Sequence, residues 1–219
     1  MKKYLTVDVG GTSMKFAIID NEGNIYESSS CKTPGTLEDM YSEISTRFIN
    51  CQDRLYGVAL SMPGAVDSEM GVIGGSSAVD YIHGPHIKEE LEAMLHVPVE
   101  MENDANCAAL AEVWKGAGKD IDDCCFIVSG TGIGGAVVKD RLIHKGKHLQ
   151  GGGFGYMIAQ FDYDNHEMKT WSDVGSTVAV LRGIAKEKNV DIETLDGKDV
   201  FDHYHEDKVY EKYVDKYYY

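Results

Sequence analysis

The chain has 219 residues, a formal net charge of -15 and 24 glycines, and 43% of its residues are hydrophobic. A chain of this length can bury a sizeable core as one large domain or two small ones. The acidic charge leaves little surface for nucleic acid or an anionic membrane, since both require clustered lysine and arginine, and no apolar run approaches the length of a bilayer span. The sequence therefore predicts a cytoplasmic protein with neither nucleic acid nor membrane as a partner.

The cysteines and histidines do not predict a metal site. The five cysteines have no CxxC spacing, and each is predicted to be a small buried hydrophobic residue; they are Cys31, Cys51, Cys107, Cys124 and Cys125. The histidine pairs at 203 and 205 and at 144 and 148 have ligand-like spacing. Because neither pair has a fourth ligand at a sensible distance, scattered surface histidines are the simpler interpretation.

The first predicted elements form an antiparallel meander. Two β-branched, apolar runs at 4–9 and 14–20 are separated by GGTS, and the turn DNEGN leads into a third strand at 25–30. A helix over 37–50 follows, started by Thr36.

Helices and strands then alternate along the chain. Predicted next are a strand over 56–64, a helix from Pro85 with the apolar face Ile87, Leu91, Met94 and Leu95, a strand over 97–102, and a helix that Gly116 ends. Later come strands over 124–130 and 135–140, a loop-like stretch as far as Trp171, and helices over 173–188 and from 207 to the end. This order predicts an α/β chain with a mixed sheet, divided near 118–122 into an N-terminal lobe, 1–118, and a C-terminal lobe, 119–219.

Two hairpin turns carry the sequence Gly-Thr and could each hold phosphate. In the first, Asp8-Val9-Gly10-Gly11-Thr12, backbone N–H groups can face an anion, Thr12 adds a hydroxyl, and Asp8 could hold a hydrated Mg²⁺. An ordinary hairpin whose glycines supply positive φ explains this motif equally well. The second turn, SGTGIGG at 129–135, lacks the helix that a dinucleotide fingerprint needs, because AVVKDRLI reads as a strand. Two such loops could clamp the phosphates of one nucleotide.

A third candidate site lies at the junction of the strand over 97–102 with the following helix. Asn103 and Asp104 are both preferred N-cap residues, so either could close that helix. Ligands in α/β sheets collect beyond the carboxyl ends of strands. We therefore expect one of the pair to cap the helix and the other to face a cleft.

Four segments in this order resemble the ROK family of sugar kinases and repressors. They are TVDVGGTSMKFAIID, ALSMPGAVD, VEMENDANCAALAEVWKGAG and SGTGIGGAVVKD. The resemblance covers residues 4 to about 157, and FGYM at 154–157 is most similar to the β-glucoside kinase branch. It implies the two-lobed α/β fold of the actin, hexokinase and Hsp70 ATPase superfamily, which is ribonuclease H-like.

The resemblance implies an ATP-dependent sugar kinase with a Mg²⁺ cofactor. Asp104 would be the general base for a sugar hydroxyl, most simply the 6-hydroxyl of a glucose-like hexose or β-glucoside. Asp8 would contact Mg²⁺ through water. Residues implied to bind ATP phosphates are Thr6, Val7, Asp8, Val9, Gly10, Gly11, Thr12, Thr131, Gly132 and Gly134. Residues implied to contact the sugar are Gly64, Ala65, Asn103, Asp104, Gly153 and Tyr156.

The sequence also departs from the family pattern. The family usually has a glutamate at position 153 and often a histidine at 156, where this chain has Gly153 and Tyr156. No cysteine follows Cys125, so the zinc site of the family is not expected. Loss of a charged acceptor for sugar hydroxyls typically costs on the order of 1 to 3 kcal/mol of binding free energy.

The C-terminal end predicts a truncated member of the family, since the family continues past residue 219 and the second lobe would be incomplete. In the last helix Tyr210, Tyr213, Val214 and Tyr217 recur at helical spacing. This stripe is predicted to be exposed and to need a partner, which could be the missing segment, a second subunit in a homodimer, or another chain. The alternative function is a non-catalytic sugar- or partner-binding remnant. A repressor would need an N-terminal helix-turn-helix, which is not expected because the first strand begins at Tyr4.

Overall fold

The structure is a computed structural model that describes residues 1–51 and 54–218. The chain forms two compact units. The first consists of Met1–Ala111 and Gly146–Gln150, and the second consists of Glu112–Lys145 and the chain from Gly151 onward. The boundary between Ala111 and Glu112 therefore falls inside a helix. The predicted lobes 1–118 and 119–219 stay a prediction.

The first unit has a main sheet of five strands. In chain order its elements are β1 (Lys3–Val9), β2 (Ser13–Asp20), β3 (Ile25–Lys32), α1 (Leu37–Asn50), β4 (Leu55–Met62), β5 (Ala65–Asp67), β6 (Val72–Gly74), α2 (Ile87–Leu95), β7 (Val99–Asn103) and the start of α3 (Asp104–Lys115). The strand order is β3-β2-β1-β4-β7. β1 to β3 pair antiparallel, which confirms the predicted meander, and β1, β4 and β7 run parallel.

The core of this unit lies on one face of the sheet. Alternate residues of β1, such as Leu5 and Val7, are buried on the same side as Met40 and Ile44 of α1 and Leu91 of α2. Strict alternation is what a strand with one covered face requires. The other residues of β1 and β4 project from the opposite face, and they include the polar residues of the candidate site.

α1 confirms its predicted bounds, and its start has a physical cause. The Thr36 hydroxyl accepts a hydrogen bond from the Asp39 N–H, which satisfies one of the free donors of the first turn. In α2 the predicted apolar face is correct for Ile87, Leu91 and Leu95 but wrong for Met94, which is 48% exposed. Met94 lies on the edge of that face.

The second unit has a smaller sheet and more helix. In chain order its elements are the end of α3, β8 (Cys124–Ser129), β9 (Ile133–Lys139), β10 (Leu142–Ile143), β11 (Ile158–Asp162), β12 (Glu167–Thr170), α4 (Trp171–Gly175), α5 (Thr177–Lys188), α6 (Gly197–Asp202) and α7 (Lys208–Tyr218). β8, β9 and β10 form one antiparallel sheet, and β11 pairs with β12. The β11–β12 hairpin corrects the prediction of a loop as far as Trp171.

Two further predictions about side chains in this unit are wrong. Cys125 is exposed, because it lies on the outer face of β8. The tyrosines of α7 do not form an exposed stripe, since Tyr210, Tyr213 and Tyr217 pack against a buried cluster that includes Ile184 of α5. Their partner is therefore a helix of the same unit.

Among the described residues, no helix is long and apolar enough to cross a bilayer.

Candidate active site

The register of the first sheet aligns polar residues across its parallel strands. Asp8 of β1 lies opposite Ser61 of β4, and Ser61 lies opposite Glu102 of β7. On the other side of β1, Lys15 of β2 lies opposite Asp8. The row is at the carboxyl ends of the three parallel strands, where ligands bind in open α/β sheets.

Asp8 is oriented by a hydrogen bond from a neighbouring strand. The Ser61 hydroxyl donates to Asp8 Oδ1 over 2.8 Å. Lys15 Nζ lies 3.7 Å from Asp8 Oδ2, and the two side chains are 69% and 48% exposed. An exposed ion pair of this kind contributes little, so the serine contact is the one that fixes the carboxylate.

Asn103 caps α3 and also ties it to the turn after β4. Its Oδ1 accepts hydrogen bonds from the N–H groups of Ala105 at 3.0 Å and Asn106 at 3.2 Å. Its Nδ2 donates to the carbonyl oxygen of Gly64 over 3.0 Å. The residue thus brings together two segments for which the family resemblance implies sugar binding.

Asp104 is the first residue of α3 and is exposed at the surface of the first unit. Its Oδ1 accepts from the Ala105 N–H over 2.8 Å. Although solvent reaches the side chain, the protein atoms around the carboxyl group desolvate it, and this desolvation raises its pKa. The negative charge of Asp8 raises the pKa further, while the bond from Ala105 lowers it. A carboxyl group with a raised pKa is a better proton acceptor than an ordinary aspartate.

Gly64 can only be glycine in this conformation. Its φ is +99°, and an added Cβ would lie 2.9 Å from Cγ2 of Ile73 and 3.3 Å from Cε1 of His83. His83 Nε2 is 3.0 Å from the Ser77 hydroxyl, and its Nδ1 is buried with no hydrogen-bond partner among the described residues. The turn therefore exposes backbone where a side chain would clash.

The first glycine turn is closed by its own backbone and by packing. The Gly10 N–H donates to the carbonyl oxygen of Ser13 over 3.0 Å, and a Cβ on Gly11 would lie 2.7 Å from Cβ of Ala78. The side chain of Thr12 is exposed. The side chains of Val7 and Val9 are buried in the core, so these two residues can offer a ligand only backbone atoms.

The second glycine turn belongs to the second unit, between β8 and β9. A strand follows it, which confirms that it is not a dinucleotide fingerprint. The Gly130 N–H donates to the carbonyl oxygen of Gly132 over 2.9 Å, and the Ile133 N–H donates to the Ser172 hydroxyl over 2.9 Å. Thr131 is exposed and Gly134 is partly buried. Ser172 at the start of α4 thus holds the turn in place.

The glycine-rich segment after position 150 packs against the backbone of its own unit. An added Cβ would lie 2.1 Å from the His144 oxygen at Gly151, 2.0 Å from the Gly135 oxygen at Gly152, and 2.0 Å from the Ile133 oxygen at Gly155. Gly153 precedes a short 3₁₀ turn, Phe154–Tyr156, and the Tyr156 side chain is 70% exposed. Close backbone approach, not flexibility, explains this run of glycines.

A cavity of about 1000 Å³ opens on the face of the first sheet opposite its core. Asp8, Lys15, Ser61, Glu102 and Cys107 line it, and all of its lining residues belong to the first unit. Burial raises the pKa of the Cys107 thiol to about 12, and the carboxylate of Glu102 adds to this. The thiol is therefore protonated near neutral pH and is a poor nucleophile.

The donor atoms at Asp8 fit a magnesium ion bound through water. Mg²⁺ prefers carboxylate oxygens and retains several of its own waters, and Asp8 is a partly exposed carboxylate whose charge reinforces that of Asp104. In the part of the chain that the structure describes, no group of three or more His, Cys, Asp or Glu residues could hold a metal by itself. Asp8 would thus hold the waters of the ion, and further ligands would have to come from phosphate oxygens.

The sequence did not indicate the supporting residues. Ser61 and Glu102 gain their place from the parallel register of β1, β4 and β7, which no local motif encodes. Ser172 comes from a segment that follows the second glycine turn by 39 positions. The one available signal is the polar residue that follows Leu60 in a buried strand, since serine is uncommon in such a run.

Comparison with known proteins places this chain in a family. The ROK family model matches residues 4–218. The β-glucoside kinase of Listeria monocytogenes serovar 1/2a is 32% identical over 218 residues, which span 99% of this chain and 74% of that protein.

Two solved structures have the same fold. A ROK family protein from Streptococcus pneumoniae TIGR4 in complex with sucrose has a TM-score of 0.84 at 34% identity, over 98% of this chain and 72% of that one. A ROK family glucokinase from Streptomyces griseus in complex with glucose and AMPPNP has a TM-score of 0.84 at 24% identity, over 98% and 75%. The predicted α/β fold of the actin and hexokinase ATPase class is confirmed, and the chain belongs to the ROK family.

Proposed function

We propose that this protein transfers the γ-phosphoryl group of ATP to a hydroxyl of a glucose-like hexose or a β-glucoside, most simply the 6-hydroxyl. The observation that carries the proposal is the placement of Asp104. It is an exposed carboxylate that follows the carboxyl end of β7, and desolvation and the negative charge of Asp8 raise its pKa. Family membership and the kinase name of the Listeria relative support the same reaction class.

Asp104 would act as the general base. In phosphoryl transfer most of the catalysis comes from positioning and charge stabilisation, and the base accepts the hydroxyl proton as the oxygen attacks phosphorus. Helix α3 holds this carboxylate by its first turn, where Oδ1 accepts from the Ala105 N–H. The other carboxylate oxygen would accept the proton.

Sugar binding would rely on Asn103, Gly64 and Ala65 in the first unit. The Asn103 side chain is fixed by the helix that it caps and by the Gly64 carbonyl. It would direct its remaining hydrogen-bonding capacity to sugar hydroxyls, beside backbone groups of the turn. Gly153 and Tyr156 are proposed as further sugar contacts, Tyr156 through its exposed ring and hydroxyl.

ATP would bind through the two glycine turns. The proposed phosphate-binding residues lie in β1 and the first turn, and in the second turn and the start of β9; they are Thr6, Val7, Asp8, Val9, Gly10, Gly11 and Thr12, and Thr131, Gly132 and Gly134. Backbone N–H groups and the exposed threonines Thr12 and Thr131 would bind phosphate oxygens. Asp8 would orient a water-bound Mg²⁺, which neutralises charge on the phosphates when bound.

A coupled assay of ADP release tests the reaction. Glucose, N-acetylmannosamine and β-glucosides are offered in turn, and turnover is expected with at least one of them. Asp104→Asn should lower kcat by about 10² to 10⁴-fold, the usual contribution of a general base. Asp164→Asn is the matched control, because Asp164 is exposed and lies in the turn of the β11–β12 hairpin.

The outcomes distinguish the kinase from the alternative. Folded protein that turns over none of the sugars would contradict the proposal. If such protein still binds a sugar but gives no calorimetric signal with ADP, the non-catalytic sugar-binding function replaces it. Equal kcat values for Asp104→Asn and Asp164→Asn would reject Asp104 as the base even if turnover is observed.

A further inference from the structure

Ser61 lies in β4, between two acidic residues of the neighbouring strands. The parallel register places it opposite Asp8 on one side and Glu102 on the other. All three residues line the cavity of the first unit. The strand pairing fixes the backbone of Ser61 on both sides, so its hydroxyl has a well-defined position.

The hydroxyl of Ser61 donates its proton to Asp8. The Oγ–Oδ1 distance is 2.8 Å, within the usual range for a hydroxyl and a carboxylate oxygen. A hydroxyl has one proton and a carboxylate only accepts, so the direction of the bond is determined. A hydrogen bond to a charged group contributes more than a neutral one.

The other contact of Asp8 holds it less firmly. Lys15 Nζ is 3.7 Å from Oδ2, beyond hydrogen-bond distance, and the lysine side chain is 69% exposed. A mobile lysine at that distance does not select one rotamer of the aspartate. Ser61 therefore determines which oxygen of Asp8 remains available to a ligand.

We infer that Ser61 is a positioning residue: its hydrogen bond to Oδ1 keeps Oδ2 of Asp8 directed at the hydrated metal ion of a metal–nucleotide. This inference rests on the proposed function, because Asp8 needs this orientation only if the site binds a metal–nucleotide. Ser61 touches neither substrate nor nucleotide in this role. Its effect should therefore appear in the binding of metal–nucleotide and not in the binding of sugar.

Binding of ADP with Mn²⁺ tests the role without turnover. Calorimetry on the full chain should show that Ser61→Ala weakens the affinity about 3- to 10-fold, as expected for one hydrogen bond to a charged group. Ser61→Thr retains the hydroxyl on a strand-compatible residue and should stay within about twofold of the unmodified protein. Ser28→Ala, on β3 at the wall of the same cavity, is the control.

Two further measurements show whether Ser61 positions Asp8 or only stabilises the fold: a double variant, and a comparison of the Mg²⁺ dependence with the KM for sugar. Ser61→Ala should cause no further loss of affinity in an Asp8→Asn background, because the two residues act as one unit. In turnover assays Ser61→Ala should raise the Mg²⁺ concentration for half-maximal rate by a similar factor, and the KM for sugar should not change. Thermal unfolding of each variant checks that the fold is retained.

The possible results separate this role from the kinase activity. Equal Mn²⁺–ADP affinity for Ser61→Ala and Ser28→Ala would overturn the positioning role, whatever the turnover. A loss in Ser61→Ala that Ser61→Thr restores supports the role, even if no sugar is turned over and the proposed kinase activity fails. Failure of the unmodified chain to bind Mn²⁺–ADP would overturn both.

Discussion

Asp104 combines exposure with a raised pKa, and the two properties have separate physical causes. Its position as the first residue of α3 leaves the carboxylate open to a ligand, while nearby protein atoms desolvate it. Asp8, on a neighbouring strand, raises the pKa further through its negative charge. Once ionised, a base of this kind accepts a proton more readily than a free aspartate.

The raised pKa of Asp104 predicts how kcat/KM falls on the acid side of the pH profile. Only ionised Asp104 can accept the hydroxyl proton, so kcat/KM should fall as the pH drops through its pKa. The half-point should lie above 3.8, the ordinary value for an aspartate. Asp8→Asn removes a charge that raises the pKa, so its half-point should lie at lower pH than that of the unmodified protein.

The measurement is kcat/KM for sugar against pH, at a fixed saturating concentration of Mg²⁺–ATP. Asp164→Asn should leave the half-point in place. A half-point for Asp8→Asn that is unchanged, or that shifts to higher pH, would show that Asp104 is not the group that titrates.

Among single residues, the sequence predicted those that belong to a motif but not those that hold the motif residues in place. Asp8, Asn103 and Asp104 are visible because each follows a strand pattern and adjoins a turn or helix start. Which of Asn103 and Asp104 caps α3 was open from the sequence, and the bonds from Ala105 and Asn106 show that Asn103 does. Ser61 could not be predicted, since its role depends on a pairing between strands far apart in the chain.

Helices α5 and α7 pack closely because Gly183 of α5, at the contact with Tyr213 of α7, has no side chain. An added Cβ on Gly183 would lie 2.3 Å from Cε1 of Tyr213 and 2.6 Å from its Cδ1. Tyr213 packs against the cluster that contains Val180 and Ile184. The ring therefore lies directly on the backbone of α5, which only glycine allows.

This contact predicts that Gly183→Ala destabilises the protein, against helix propensity. Alanine in place of glycine inside a helix normally stabilises by about 1 kcal/mol, but overpacking costs about 1 to 3 kcal/mol. Since the ring of Tyr213 must move, we expect a net loss and a Tm lower by about 2 to 6 °C.

Gly35→Ala is the matched control for this change. Nothing lies within 4 Å of a Cβ added at Gly35, so its Tm should stay close to that of the unmodified protein. Calorimetric melting of the three proteins compares them directly. A higher Tm for Gly183→Ala would show that α7 does not pack on α5 as described.

The secondary structure could be predicted where the pattern was regular. The bounds of α1 follow from its cap and its 3.6-residue apolar period, and the meander follows from alternation and its turns. The β11–β12 hairpin could not be predicted in this way, because every residue of β11 is exposed and no face repeats. Its turn is held by Asp162, whose carboxylate accepts from the N–H groups of Asp164 and Asn165.

The same structural feature, a glycine turn between antiparallel strands, occurs once in each unit. A glycine turn joins two antiparallel strands at 9–13 in the first unit and at 129–133 in the second. Both turns leave a threonine exposed, Thr12 and Thr131. The formal charge of -15 opposes the approach of a nucleotide, so the proposed binding of ATP would depend on local backbone donors and on the metal ion.

The reaction itself is tested most directly by the product. Proton-coupled ³¹P NMR of a mixture of the protein, Mg²⁺–ATP and a β-glucoside should show a new phosphate-ester signal split into a triplet by the two protons at carbon 6. Asp104→Asn should reduce the rate at which this signal grows by at least about 10²-fold, and Asp164→Asn should not. Only inorganic phosphate, or no new signal from folded protein with any of the sugars tested, would contradict the account.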